Sequence, residues 1–142
     1  MVSFIAVPAA SVFLAISLLH LYWAVKKQGA PGIGVPSHAD GSPVFVPSRT
    51  ATIAVSLLLV LAAFLLLERS GLGPGLLPPA WRALGTGGLA LVLLIRGIGD
   101  FRFVGLFKRE RSTAFARIDT WLYTPLVLVL SAAATLVTVL GH

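Results

Sequence analysis

Four apolar stretches occupy most of the 142-residue chain and constrain its fold more than any other feature. They cover roughly residues 3–25, 50–67, 83–107 and 120–140, and nearly every charged residue lies between them. A helix of about 20 apolar residues crosses the hydrocarbon core of a bilayer. The sequence therefore predicts an all-α, four-helix transmembrane bundle. Residues 1–142 are expected to form a single integral membrane domain, because four spans and their connections use this length.

Composition supports a membrane protein independently of the position of the spans. The chain is 57% hydrophobic and only 11% charged, with a mean hydropathy of +0.95, which lies outside the range of soluble globular proteins. There is no cysteine, so disulfides and thiol chemistry are excluded. No nucleotide-binding, hydrolase or metal motif occurs, and no cofactor is predicted. The net charge is +6, and the basic residues lie beside apolar segments, which favours membrane lipids over nucleic acid as partners.

The basic residues predict how the spans are oriented. Three lie between the first and second spans and six around the connection to the fourth, against two between the second and third. An even number of spans places both termini on one side, so nine basic residues share the opposite side. The positive-inside rule then predicts that both basic connections are cytoplasmic and that the N-terminus and C-terminus lie outside. The first of these connections is rich in proline and glycine, which favours turns over helix.

The third apolar stretch carries an unusual pair of charged residues. Its purely apolar part, residues 83–95, is too short to cross a bilayer, so the helix is expected to continue to residue 107. That helix would carry Arg96 and Asp100 four residues apart on one face, where they can form an ion pair. Charged residues at membrane depth are costly and usually face the interior of a bundle.

Polar residues of the other spans are expected at the same depth. Spans one and four contribute residues three or four positions apart, which lie on one helical face. Together with the third span they predict a polar site near the cytoplasmic end. We interpret three residues as candidates for proton transfer in catalysis: His20, Asp100 and Asp119. Four are interpreted as ligand-binding residues: Trp23, Arg96, Arg102 and Tyr123. A metal site would need His20 with both aspartates, and none is predicted.

Five of these seven residues also have a structural interpretation. His20, Trp23 and Tyr123 can belong to an aromatic belt at the membrane surface. Arg96 and Asp100 can form an ion pair that only fixes helix packing. Five basic residues of the connections are interpreted as orientation signals and lipid contacts: Lys26, Lys27, Lys108, Arg109 and Arg111.

The pattern of these residues resembles a family of small bacterial four-span membrane proteins catalogued as domain of unknown function 3995. The resemblance covers essentially the whole chain, and its most specific part is the block from Arg96 to Gly105, RGIGDFRFVG. It also rests on other residues distributed along the chain: His20, Trp23, Ala24, Pro43, Pro47, Lys108, Thr113, Phe115, Ala116, Asp119, Tyr123, Pro125 and Leu126. It implies a multi-pass protein of the bacterial inner membrane and supplies no activity.

Three functions remain open at this point. The first is binding of a hydrophobic or amphipathic small molecule or lipid at the polar site, with isomerase-like chemistry as an extension. The alternative is a non-catalytic structural or interaction component of the membrane, and the third is a small transporter that acts as a homo-oligomer. A ligand site needs a cavity of about 300 Å³ or more that reaches Arg96, Asp100 and His20. A structural cluster should instead be close-packed and mutually hydrogen-bonded.

Overall fold

The computed structural model describes residues 1–26 and 32–141, so part of the proline-rich first connection lies outside the described residues. In the described part of the chain, four helices are long and apolar enough to cross a membrane: α1 (Ser3–Val25), α2 (Arg49–Arg69), α3 (Pro79–Ile98) and α4 (Ala114–Leu140). The predicted all-α, four-span fold is confirmed. Within α4 the chain forms a π-helical turn, Asp119–Tyr123, between two α-helical parts.

Local sequence accounts for where three of the helices begin. Ser48 precedes α2, and its side-chain oxygen accepts the backbone N–H of Ala51 at 3.1 Å. Thr113 precedes α4 and accepts the N–H of Ala116 at the same distance. Pro79 occupies the first position of α3, where a missing N–H leaves no helical hydrogen bond unmade.

The third helix ends earlier than the sequence predicted. It stops at Ile98, and the expected continuation to residue 107 is wrong. The physical reason is Gly99, which has a φ of 95°, a backbone conformation that ends a helix and favours glycine. The full membrane length is recovered at the other end, because α3 already begins at Pro79 rather than near residue 83.

The helices pack as two hairpins, α1 against α2 and α3 against α4. Small side chains at the contacts let the backbones approach closely, as is typical of helix pairs in membranes. The buried core consists mainly of alanine with a few large residues: Ala6, Ala9, Ala10, Phe13, Ala62, Ala63, Leu66, Ala90, Leu130, Ala134 and Val137. Between α1 and α2, each of the hydroxyls of Ser17 and Ser56 donates to the other residue's carbonyl, at 2.9 and 3.0 Å.

The alternating direction of the helices gives the bundle two ends. The basic end carries the connections 26–48 and 99–113. The terminal end carries both termini and the connection 70–78, and there the Arg69 guanidinium of α2 donates to the Thr138 carbonyl of α4 at 2.8 Å. At the basic end the first connection forms a small hairpin, closed by an antiparallel bridge between Ser37 and Pro43.

Candidate functional site

The π-helical turn of α4 positions the Asp119 carboxylate relative to Thr124. Pro125 lacks an N–H, and its ring clashes with the carbonyl of the residue four positions earlier, so a regular helix is disfavoured here. The backbone widens instead, and the N–H of Thr124 bonds to the carbonyl of Asp119 five residues before it. This rotation brings the Thr124 hydroxyl over the Asp119 carboxylate, to which it donates at 3.0 Å.

The Asp119 carboxylate is fully buried and accepts four hydrogen bonds. One oxygen, Oδ1, accepts from Nη2 of Arg96 on α3 at 2.7 Å. The other, Oδ2, accepts the N–H of Gly105 and Nζ of Lys108, both at 2.9 Å, as well as the Thr124 hydroxyl. We call these five residues the Asp119 cluster. It ties the connection 99–113 to the facing ends of α3 and α4.

The Asp119 cluster holds two cations against one carboxylate, so its net charge is +1. Lys108 is 4% exposed and also donates to the carbonyl of Gly105 at 3.2 Å. Arg96 is partly exposed, but its Nη1 atom is buried and has no hydrogen-bond partner among the described residues. The cluster is close-packed and internally bonded, which is the arrangement expected of a structural cluster.

The expected ion pair between Arg96 and Asp100 is not formed. Because α3 ends before Asp100, the two residues do not share a helical face, and Arg96 pairs with Asp119. The Asp100 Oδ1 atom instead accepts the N–H groups of Arg102, Phe103 and Val104 at 2.9, 2.7 and 3.0 Å. Burial raises the pKa of Asp100, but the N–H groups of Val104, Arg102 and Phe103 outweigh it, and the net pKa lies below its ordinary value.

His20 and Trp23 lie on one face of α1, as predicted, with ring centroids 5.3 Å apart. The His20 Nδ1 atom lies 2.8 Å from the carbonyl of Ile16, one turn earlier, so the tautomer with a proton on Nδ1 fits this contact. Among the described residues, His20 forms no hydrogen bond with Asp100 or Asp119. The structure therefore does not bring together the three residues interpreted as a proton-transfer set.

Tyr123 and Arg102, two of the predicted ligand-binding residues, lie in different surroundings. The Tyr123 hydroxyl donates to the carbonyl of Ile33 at 3.1 Å, which fastens the first connection to α4. The Arg102 guanidinium lies over the Phe103 ring, 5.0 Å from its centroid. Neither the Arg102 side chain nor that of Arg109 makes a side-chain hydrogen bond to another described residue.

An open groove of about 890 Å³ lies at the basic end, between the hairpin of the first connection and the connection 99–113. Its lining combines both signs of charge with aromatic rings: His38, Ala39, Asp40, Asp100, Phe101, Arg102, Phe103, Arg109 and Glu110. The groove includes Asp100 and Arg102 of the predicted site, and neither Arg96 nor His20. The predicted residues thus divide among the buried cluster, the groove and the basic end of α1, and Tyr123 lies apart from all three in its contact with Ile33.

Sequence reasoning missed Lys108, Gly105 and Thr124 as members of the cluster. Lys108 was interpreted as a lipid contact like its neighbours Arg109 and Arg111, but it is buried. The one sequence signal that separates Lys108 from Arg109 and Arg111 is that Lys108 alone belongs to the residues carrying the family resemblance. Within the described ranges, no group of three or more His, Cys, Asp or Glu side chains is arranged to hold a metal ion.

Comparison with known proteins places these residues in a family. A family model described as protein of unknown function (DUF3995) matches residues 13–134, which include the whole Asp119 cluster and the groove. The chain belongs to the DUF3995 family. No curated protein and no solved structure matches it. The family description carries no activity, so function must be argued from the site.

Proposed function

We propose that this DUF3995 protein binds an amphipathic molecule, a lipid or lipophilic small molecule with a charged headgroup, in the groove at its basic end. The observation that carries the proposal is the groove itself, which exceeds the size a ligand needs and lies between two connections at the basic end of the bundle. Arg102 and Arg109 offer guanidinium groups for a phosphate or carboxylate. The Phe103 ring offers apolar surface for the body of the ligand.

The Asp119 cluster has a supporting role in this proposal. It holds Gly105 and Lys108 against the bundle, and the groove residues Arg102 and Arg109 lie on either side of them in the chain. The sequence left open a structural polar cluster and a ligand site. In this proposal both exist, the structural cluster within the bundle and the ligand groove beside it. Catalysis is not part of the proposal, because His20 has no contact with either aspartate that would let it exchange a proton.

The proposal also includes the orientation of the bundle in the membrane. In the sequence, nine of the eleven Lys and Arg residues fall within or beside the connections 26–48 and 99–113. By the positive-inside rule, the basic end faces the cytoplasm of a bacterial cell and both termini lie outside the inner membrane. The groove then opens at the cytoplasmic leaflet, where anionic headgroups are concentrated.

The experiment compares what co-purifies with gently extracted protein, by native mass spectrometry and lipid analysis. The groove variant carries Arg102→Gln and Arg109→Gln. The matched control carries Arg49→Gln and Arg117→Gln, which removes the same charge from exposed positions at the same end but outside the groove. We expect a specific molecule on the wild type and the control that is lost from the groove variant. The same bulk phospholipid on all three would contradict the proposal.

A non-catalytic structural component is the second candidate, and the close packing of the Asp119 cluster favours it. In that case the basic end serves to dock a partner, and no specific small molecule is found in any of the three samples. A transporter gains no support from the described residues. The hydroxyls of Ser131, Thr135 and Thr138 in the outer part of α4 all donate to backbone carbonyls and do not form an open polar path.

A further inference from the structure

The connection 99–113 displays large apolar side chains although it lies outside the helices. Phe101, Leu106 and Phe107 are 58%, 51% and 58% exposed. The rings of Phe101 and Phe107 stack with centroids 6.2 Å apart, and Leu106 directly precedes Phe107 in the chain. We call these three residues the apolar patch. An exposed patch of this kind in a membrane protein has to be covered by water, by protein or by lipid.

Backbone hydrogen bonds fix the depth of this patch in the membrane. The N–H of Leu106 donates to the carbonyl of Gly97 at 2.9 Å, and the N–H of Phe107 donates to the carbonyl of Ile98. Gly97 and Ile98 form the end of α3. The chain therefore leaves the helix, turns and comes back to the level of its last residues.

That level coincides with the boundary of the hydrocarbon core. The 20 residues of α3 span about 30 Å, the thickness of that core, so the last turn of α3 lies at its edge. Trp121, which is 84% exposed and follows Asp119 by two residues, marks the same level on α4. Because Asp119 bonds to both Gly105 and Lys108, the residues between them are fixed at this depth.

We propose that the connection 99–113 is a re-entrant segment that inserts Phe101, Leu106 and Phe107 among the acyl chains of the leaflet at the basic end. Arg102 follows Phe101 directly and Arg109 lies two residues after Phe107; both side chains are exposed and placed to contact the lipid phosphates above the patch. The occupant of the apolar patch is the host membrane itself, argued from its backbone bonds to the end of a spanning helix. The inference does not depend on the ligand proposed for the groove.

The absence of cysteine from the sequence makes a direct test straightforward. Single cysteines are introduced for spin labels, and the protein is reconstituted at a low protein-to-lipid ratio in phosphatidylcholine–phosphatidylglycerol vesicles. Collision of each label with oxygen, which concentrates in acyl chains, is compared with collision with a water-soluble nickel chelate. The test position is Phe107→Cys, with Phe101→Cys as a second site in case the first variant does not fold.

Two control positions calibrate the result. Val92→Cys labels an exposed residue within α3, and Ala39→Cys labels an exposed residue of the hairpin at the same end of the bundle. We expect the label at Phe107 to resemble the one at Val92, with an oxygen-to-nickel collision ratio several-fold higher than at Ala39.

Two outcomes would overturn the proposal. A label at Phe107 that collides with nickel as freely as the Ala39 label would show that the connection 99–113 projects into water. A label protected from both reagents would show that protein covers the patch. In the second case, spin–spin broadening at that position would identify the cover as another copy of the chain.

Discussion

At each end of the bundle, a buried carboxylate accepts backbone N–H groups of a connection, but the net charge of the two sites differs. At the terminal end, Glu68 is buried, and its two oxygens accept the N–H groups of Gly75, Leu76 and Leu77 at 2.8 to 3.3 Å. One cation, Arg82, lies 3.4 Å away, so that site is neutral overall. At the basic end, Asp119 orders a connection in a similar way but binds two cations.

The partners of the two carboxylates also differ in origin. All those of Glu68 come from the next 14 residues of the chain, the connection 70–78 and the first turn of α3, since Arg82 is its farthest partner. Those of Asp119 come from α3, from the connection 99–113 and from α4 itself. The terminal site therefore organises a local turn, whereas the Asp119 cluster closes a tertiary contact that depends on its charge.

The largest expected difference in stability is between two variants that each remove one buried negative charge, at Asp119 or at Glu68. Asp119→Asn leaves two cations at the cluster with no counter-charge, and breaking a buried ion pair in this way costs about 3–5 kcal/mol. Glu68→Gln keeps an amide oxygen that still accepts backbone N–H groups, and we expect a loss of about 1–2 kcal/mol. Both are measured as free energies of unfolding in mixed detergent micelles, followed by tryptophan fluorescence. Equal losses would show that charge does not distinguish the two ends.

The glycines of the two connections provide the next test. A Cβ on Gly99 would lie 1.8 Å from the carbonyl oxygen of Val104, whereas a Cβ on Gly71 at the terminal end would meet nothing within 4 Å. Both glycines have positive φ, so Gly71→Ala is expected to cost only the conformational penalty of about 1–2 kcal/mol. Gly99→Ala carries that penalty and adds overpacking of about 1–3 kcal/mol. A similar loss for both variants would mean that the connection 99–113 can move away from α3.

The spans could be predicted from the sequence because each centres on an apolar run, and residue type predicts a serine or threonine cap at the start of α2. The end of α3 could not be predicted in the same way. Gly99 offers a signal, but its backbone conformation is set by close contact with Val104 and Gly105 after the chain has turned back. An apolar run containing glycine is equally compatible with a helix that continues.

The members of the Asp119 cluster show a second limit of prediction from the sequence. Lys108 and Arg109 are adjacent cations in the same connection, yet only Lys108 is buried, because the fold of residues 99–107 directs it to Asp119. Pro125 predicts a disturbance in α4, but not that a π-helical turn would bring Thr124 over Asp119. The sequence therefore identifies charged residues and prolines that are unusual near a membrane span, but the tertiary structure determines which of them contact Asp119.

Lys108→Met tests whether the excess positive charge is a cost in itself. Alone, the substitution leaves Asp119 paired with Arg96 and bonded to two further donors, so we expect a loss of about 1 kcal/mol. Combined with Asp119→Asn, it removes one of the two uncompensated cations and should restore part of the lost stability. Arg109→Met is the matched control, because this exposed neighbour should change stability by less than about 0.5 kcal/mol in either background. Additive losses for Lys108→Met and Asp119→Asn would contradict an electrostatic coupling.

The smallest expected effect concerns Asp100, an exposed carboxylate of the basic end, in contrast to the buried Asp119. Asp100 has a folded-state pKa below its ordinary value of 3.8, because the N–H groups of Val104, Arg102 and Phe103 outweigh the opposing effect of burial. A lowered pKa means that ionised Asp100 contributes its full stabilisation at neutral pH, and that this is lost as the pH falls below about 4 toward the folded-state pKa. The measured quantity is the difference in unfolding midpoint between wild type and Asp100→Asn from pH 7 to pH 3. Because Asp119 is present in both proteins, its own protonation largely cancels, and the difference should shrink at the acid end. A difference that stays constant to pH 3 would show that the ionised carboxylate does not hold this turn.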